Sequence, residues 1–226
     1  MSKIGICKVS CQGFSCNYHI DLVAFLSGEN ENMHAHIKLY ILAVLALGSS
    51  VVMAKDMAGV EIKDVIRLSP ETNPIQLNGA STKRKAAHTI YIGGLYLQNE
   101  KHSLSDILAD NGPKRFLFYC KTNKISPETM IQSFDQGMTI NNSPDTLKRI
   151  QAKINKFHNV WDGLTISQGD EIWIDYLPEE GTRISINGKV KAKISGKDFY
   201  DAFLRAWLGK YPVNAKIKHA MLGHKG

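Results

Sequence analysis

Cysteine is scarce in this 226-residue sequence, and it is unevenly placed. Three of the four cysteines, Cys7, Cys11 and Cys16, fall near the start of the chain. The spacings between them match no paired C-x-x-C zinc pattern. Cys120 is the fourth, and its position in the apolar run 116–120 predicts a buried small side chain rather than a nucleophile. We therefore expect no metal site, and no intramolecular disulfide in the chain beyond residue 54.

A hydrophobic run long enough to cross a bilayer is also missing. The most apolar segment, 39–54, is shorter than the roughly 20 residues that a transmembrane helix needs. Gly48 and two serines also interrupt it. The sequence therefore does not predict stable membrane insertion.

The same segment has the order of a secretory signal peptide. A basic stretch ending at Lys38 is followed by the apolar run 39–47 and then by the small residue Ala54. We expect residues 33–54 to be a signal peptide that is cleaved after Ala54. Signal peptides begin a chain, so we interpret residues 1–32 as an upstream extension from a misassigned start. The mature protein is expected to be periplasmic or secreted.

Acidic residues are fewer than basic ones. The chain has 28 Lys and Arg against 21 Asp and Glu, a net charge of +7. The first 54 residues hold equal numbers of both signs, so residues 55–226 keep the whole excess. This charge favours small anions or anionic surfaces as partners. Because no helix-turn-helix, zinc finger or RNP pattern is present, we expect no nucleic-acid partner.

Periodicity and helix-start signals predict the fold class. Ser126-Pro127 and Ser143-Pro144 are typical of capped helix starts, and the second helix is predicted to continue to His158. Three strands are predicted between Glu171 and Ile194, where apolar and polar residues alternate around tight turns. The element order is three strands, a helix, a strand, two helices, a three-strand meander and two helices. We predict an α+β fold, a large antiparallel sheet with helices on one face.

One stretch, Leu77–Leu97, combines features of a binding site. Its sequence is LNGASTKRKAAHTIYIGGLYL, in which Asn78-Gly79 predicts a turn and the second half predicts a long strand. Residues 83–85 put three cations beside that apolar strand, where they could bind a carboxylate or a phenolate. The paired glycines 93–94 indicate a bulge, a bend or a close backbone approach. The alternative interpretation of the cations is a solvated basic turn.

From Val60 to Gly223 the sequence resembles the chalcone isomerase family, in particular its exported bacterial branch. The segments that carry this resemblance are LNGASTKRK, IYIGGLYL, GPKRFLFY, SPETMIQSF, GDEIWIDYLPEEGTRISINGK and FLRAWLGKYPVNAKIKHAMLG. The resemblance implies an open-faced β-sandwich, a large antiparallel sheet covered by a layer of helices. It also implies a ligand cleft between the two layers.

Enzymes of this family close chalcones to flavanones by adding a phenolate to an α,β-unsaturated ketone within one molecule. Their active-site arginine follows a Gly-x-Gly-x turn, which reads Gly79-Ala80-Ser81-Thr82 here. The matching position is Lys83, and Arg84 follows it. Lysine keeps the charge but lacks the bidentate fork of arginine. By resemblance, the other family positions fall at Tyr91, Ser126, Ser133 and Ala206.

Three functions are compatible with these residues. The first is a non-catalytic binder of a small anionic amphiphile such as a fatty acid, as in other members of the family, with Lys83 or Arg84 on the carboxylate. The alternative is an intramolecular isomerase that acts on a chalcone or another enone, in which Lys83, Arg84 and Tyr91 would be catalytic. A second alternative is a structural or adaptor protein whose cleft is filled by Tyr91, Tyr96 and Trp207. The first two imply a small anionic or phenolic ligand, and none implies a cofactor.

Overall fold

The computed structural model describes residues 54–224. The fold is built on a seven-stranded antiparallel sheet. Its strands are β3 (Val65–Ile66), β4 (Ile75–Lys85), β5 (His88–Leu97), β6 (Lys114–Cys120), β9 (Glu171–Leu177), β10 (Gly181–Ile186) and β11 (Lys189–Ile194). They lie side by side in the order β11-β10-β9-β6-β5-β4-β3. Two small sheets pair β1 (Ala54–Asp56) with β2 (Glu61–Lys63), and β7 (Lys124–Ile125) with β8 (Ile166–Ser167).

Six helices are described, and two of them begin at the predicted Ser-Pro helix starts. They are α1 (Leu104–Ala109), α2 (Pro127–Asn141), α3 (Pro144–Arg149), α4 (Gln151–His158), α5 (Asp198–Leu208) and α6 (Ala215–Met221). The hydroxyls of Ser126 and Ser143 cap α2 and α3, which confirms both predicted starts. The prediction of one helix up to His158 is wrong, because the chain leaves helical geometry at Ile150.

The two faces of the sheet are covered by different elements. On one face the helices enclose an aromatic core that includes Phe116, Phe203 and Tyr200. On the other face the N-terminal segment packs Ile62 and Leu68 against the sheet in a smaller core. The predicted α+β fold, a large antiparallel sheet with a helix layer, is confirmed.

The predicted turn at Asn78-Gly79 is wrong, because both residues lie inside β4. The irregularity there is a bulge in the pairing of β4 with β5 between Leu77 and Gly79. Chain reversal comes later, between Lys85 and His88, where Ala86 takes a φ of 52°. Left-handed φ values of this kind suit the tight turns that join antiparallel strands. The three cations 83–85 therefore end a strand rather than form a turn.

The predictions for the start of the chain concern residues outside the described part. These are the extension 1–32 and the signal peptide 33–54, of which only Ala54 is described, as the first residue of β1. Within the described part, no helix is both long and apolar enough to cross a membrane.

Candidate ligand-binding site

A cavity of about 790 Å³ lies between the sheet and the helix layer. Its walls are largely apolar and come from both layers. The apolar lining residues are Ile90, Tyr91, Phe116, Phe118, Ile125, Met130, Phe134, Phe157, Trp161, Ile172, Ile174, Phe203, Trp207 and Val213. Its polar lining residues are Lys83, Arg84, Lys85, Thr122, Lys124, Ser126, Thr129 and Ser133. Among residues 54–224, four cations and no carboxylate therefore line an otherwise apolar cavity.

The four lining cations lie toward solvent, and the apolar walls lie deeper. Arg84, Lys85 and Lys124 are exposed and Lys83 is half-buried. The innermost walls include Phe116, which is 1% exposed. A ligand that fits this distribution has an anionic head at the mouth and an apolar body inside, because an unpaired charge is costly in an apolar interior.

Lys83 and Tyr91 are direct cross-strand partners of β4 and β5. Paired residues point to the same side of a sheet, so the lysine and the phenol enter the cavity together. A bulge follows Lys83 and shifts the pairing, so that Arg84 lies opposite Thr89. A regular strand would turn Arg84 to the other face. With the bulge, both predicted cations line the cavity.

Tyr91 is fixed by aromatic contacts. Its ring stacks on Phe118 with 4.5 Å between centroids and meets Trp207 edge-on at 6.3 Å. Burial raises the pKa of the Tyr91 hydroxyl to about 12. The group therefore stays protonated at neutral pH and is suited to donate a hydrogen bond to a ligand oxygen rather than to accept a proton from it.

Of the other predicted site residues, the two serines line the cavity and Ala206 lies in the packing between helices. Ser126 and Ser133 line the cavity from α2, and the Ser126 hydroxyl also accepts the Thr129 backbone N–H at 3.3 Å. Ala206 is fully buried in α5 and is absent from the lining. A β-carbon built on Gly137 would lie 3.0 Å from that of Ala206. Ala206 thus faces the contact between α2 and α5.

Sequence reasoning missed most of the cavity wall. Phe203 and Trp207 of α5 both pack on the sheet. Phe116 lies 5.1 Å from Phe203 and 4.5 Å from Trp207 between ring centroids. The same rings also border the open space, because α2 stands away from the sheet at that point. Lys124 is the one of these lining residues that the sequence could have indicated, because it lies just before the predicted start of α2.

The cavity is open, which contradicts the filled-cleft alternative. Tyr91 and Trp207 line the space without closing it. Tyr96 belongs to the opposite face of the sheet, where its hydroxyl donates to the Lys63 carbonyl at 2.8 Å. The side chains proposed to plug the cleft therefore do not meet in one place.

Cys120 is buried, as predicted, and within the described residues 54–224 its thiol is free. Its thiol donates to the Thr122 carbonyl at 3.4 Å, and burial raises the pKa of the thiol. Both features oppose a role as nucleophile. Within residues 54–224, no group of three or more His, Cys, Asp or Glu side chains is placed to hold a metal ion.

Comparison with known proteins identifies the family. A sequence model described as chalcone isomerase-like matches residues 54–223. The chain belongs to the chalcone isomerase-like family. None of the curated protein sequences compared matches it.

A comparison with solved structures shows that this chalcone isomerase-like protein shares its fold with a plant protein. It superposes on the crystal structure of a fatty-acid binding protein of Arabidopsis thaliana with a TM-score of 0.57. The match covers 76% of this chain and 96% of the plant protein, at 13% sequence identity. At that identity the likeness establishes a shared fold. The predicted chalcone isomerase-like fold is thus confirmed by the family model and by structure.

Proposed function

We propose that this protein binds a small anionic amphiphile, such as a fatty acid, without chemical change. The observation that carries the proposal is the cavity itself, with apolar aromatic walls, four cations toward its mouth and no carboxylate among its described lining residues. The related fold of a plant protein that is described as fatty-acid binding supports the same ligand class.

The apolar tail of such a ligand would supply most of the affinity. Each methylene group that leaves water contributes about 0.8 kcal/mol, so roughly ten buried methylenes offer about 8 kcal/mol before the cost of association. A cavity of about 790 Å³ has room for a chain of this length.

The head group would set orientation and selectivity. Lys83 and Arg84 would form charge-assisted hydrogen bonds with a carboxylate at the mouth, and these bonds are stronger than neutral ones. The protonated Tyr91 hydroxyl would donate a further hydrogen bond from the same side of the sheet. An uncharged amphiphile would keep the tail contacts and lose these head contacts.

The double variant Lys83→Ala, Arg84→Ala is expected to bind fatty acids about 10- to 100-fold more weakly, because hydrogen bonds to charged groups are worth about 1.5–3 kcal/mol. Displacement of a fluorescent fatty acid would measure this loss. Affinity for a fatty alcohol of equal chain length should stay within about twofold, since the alcohol has no charge to anchor.

A matched control is available in α3. Lys148 and Arg149 form the same adjacent residue pair and are exposed, and Lys148→Ala, Arg149→Ala should leave fatty-acid affinity unchanged. The proposal fails if the wild-type protein shows no saturable fatty-acid binding. It also fails if the cavity variant weakens acid and alcohol equally.

We also propose that the protein is exported and cleaved after Ala54. The support is the order of the basic and apolar stretches and the small residue at 33–54. Intact mass measurement of protein recovered from the periplasm or medium should give a chain that begins at Lys55. A mass that retains residues 33–54, or a protein found only inside the cell, would contradict export with cleavage.

A further inference from the structure

Four cations line the cavity mouth, and Lys121 lines a neighbouring pocket that shares Thr122 with the cavity; we call these five cations the basic rim. Lys83, Arg84 and Lys85 end β4, and Lys121 and Lys124 follow β6. Within residues 54–224 none of the five lies within 4.0 Å of a carboxylate, whereas a minority of the other Lys and Arg side chains are paired, such as Lys101 with Asp110, Lys153 with Asp198 and Lys197 with Asp201. The rim cations therefore have no carboxylate partner in the described range, although the Arg84 guanidinium donates to the Ala87 carbonyl at 3.1 Å.

The carboxylates at this end of the sheet do not neutralise the rim. Asp170 accepts the Ser167 backbone N–H at 2.7 Å and an Asn187 side-chain N–H at 2.8 Å. Glu171 accepts the indole N–H of Trp173 at 3.1 Å. Glu128 is exposed in the first turn of α2, where its hydrogen bond with the Ser126 side chain and, to a smaller extent, the charge of Lys124 lower its pKa. Three carboxylates beside five cations leave this surface with a net positive charge.

The tip of the β4–β5 hairpin adds a small apolar surface to the rim. Ala86 and Ala87 are exposed at the tip, between Lys85 and His88. Ile90 and Ile125 are half-buried next to the opening. Cations around a small apolar protrusion suit a surface that is anionic outside and apolar beneath, which describes a bilayer with acidic headgroups.

We propose that the basic rim docks on an anionic lipid bilayer, with the cavity mouth facing the headgroups. Each Lys or Arg near such a surface contributes about fivefold to the partition coefficient, equivalent to about 1 kcal/mol. Five cations are enough for reversible docking. Docking itself needs only the rim, whereas its use in exchanging a ligand with the bilayer rests on the proposed function.

Co-sedimentation of the full chain with lipid vesicles would test the docking. One vesicle set is neutral phosphatidylcholine, and the other contains phosphatidylglycerol at roughly a third of the lipid. We expect at least tenfold stronger binding to the anionic vesicles. Binding should weaken sharply at about 1 M salt, where the Debye length falls to about 3 Å.

The decisive comparison is between two variants with the same change of charge. Lys85→Glu, Lys121→Glu alters the rim and should weaken anionic-vesicle binding at least about 25-fold, which is two losses of fivefold each. Lys63→Glu, Arg67→Glu alters exposed cations near the other end of β4, roughly 30 Å away. This control should change vesicle binding by less than the rim variant does. Both variants keep residues 1–53, so any contribution of that segment cancels.

Equal binding to neutral and anionic vesicles, or equal loss in both variants, would overturn the proposal. So would equally tight binding of a double-stranded DNA oligonucleotide that also depends on Lys85 and Lys121, because the rim would then be a general polyanion site. Fatty-acid binding is measured separately in vesicle-free solution. A lack of fatty-acid binding would reject the proposed function, and the docking proposal would still be decided by the vesicle measurements.

Discussion

The variant Asp175→Asn is expected to lower the free energy of unfolding by about 3–5 kcal/mol, because it breaks a buried ion pair by neutralising one partner. Asp175 in β9 is fully buried. Its two carboxylate oxygens accept hydrogen bonds from the guanidinium of Arg115, at 2.6 Å from Nε and 2.8 Å from Nη2. Arg183 in β10 donates a third hydrogen bond at 3.2 Å.

Asparagine has nearly the volume of aspartate, so the expected loss comes from charge and hydrogen bonding rather than from a cavity. An amide oxygen in the place of Oδ2 could still accept from both guanidinium groups, but the amide NH₂ in the place of Oδ1 would face the Nε–H of Arg115, donor against donor. Arg115 would suffer most, since it lies against the Trp173 ring at 4.0 Å and is 7% exposed. Arg183 keeps a longer contact with Glu180 at 3.8 Å.

Urea unfolding followed by far-UV circular dichroism would measure the effect. Asp135→Asn is the matched control, because the Asp135 carboxylate accepts from His158 at 2.7 Å but its side chain is 46% exposed. An exposed pair of this kind is worth about 1 kcal/mol or less. If Asp175→Asn costs no more than the control, the buried network does not stabilise the fold as argued.

The burial of the ion pair around Asp175 could not be predicted from the sequence. Alternation in β9 places Ile172, Ile174 and Tyr176 on one face, and all three do lie in the aromatic core. The same alternation cannot reveal that Asp175, on the other face, is buried as well. That burial depends on Leu68, which comes from a distant part of the chain and whose carbonyl accepts from Arg183 at 2.8 Å.

The candidate site was predictable where it depends on local sequence. Lys83, Arg84 and Tyr91 follow from one stretch and from its family resemblance, and all three line the cavity. The orientation of Arg84 depends on a bulge in strand pairing, which sequence does not specify. The cavity itself depends on how far α2 stands from the sheet, a tertiary property that helix periodicity leaves open.

Glycines in the sequence indicated that backbone is approached closely, but not which glycine has the tightest contact. The sequence predicts a bulge, a bend or a close approach at Gly93-Gly94, and Gly93 is indeed approached by Ile217 and Met221 of α6. The tighter approach is at Gly79, which was assigned to a turn. A β-carbon on Gly79 would lie 1.8 Å from the Ala220 carbonyl oxygen. Main-chain contact between β4 and α6 therefore requires glycine at this position.

Gly79→Ala is expected to destabilise the protein by about 3 kcal/mol or more, the upper end for overpacking a core, because a backbone carbonyl cannot rotate away as a side chain can. The shift would also strain the hydrogen bond from Asn78 Nδ2 to the Met221 carbonyl, now 2.6 Å long. Thermal unfolding by calorimetry would measure the loss.

Gly94→Ala separates this clash from the general effect of replacing glycine in a strand. Its β-carbon would lie 3.4 Å from that of Ala80, an ordinary contact. Both substitutions reduce the entropy of the unfolded chain by the same amount, which favours folding by about 0.4–1 kcal/mol. The difference between the two variants therefore isolates the contact with α6. Equal stabilities would mean that α6 moves away from β4 at little cost, and the segment around Val213 that lines the cavity would then be free to move with it.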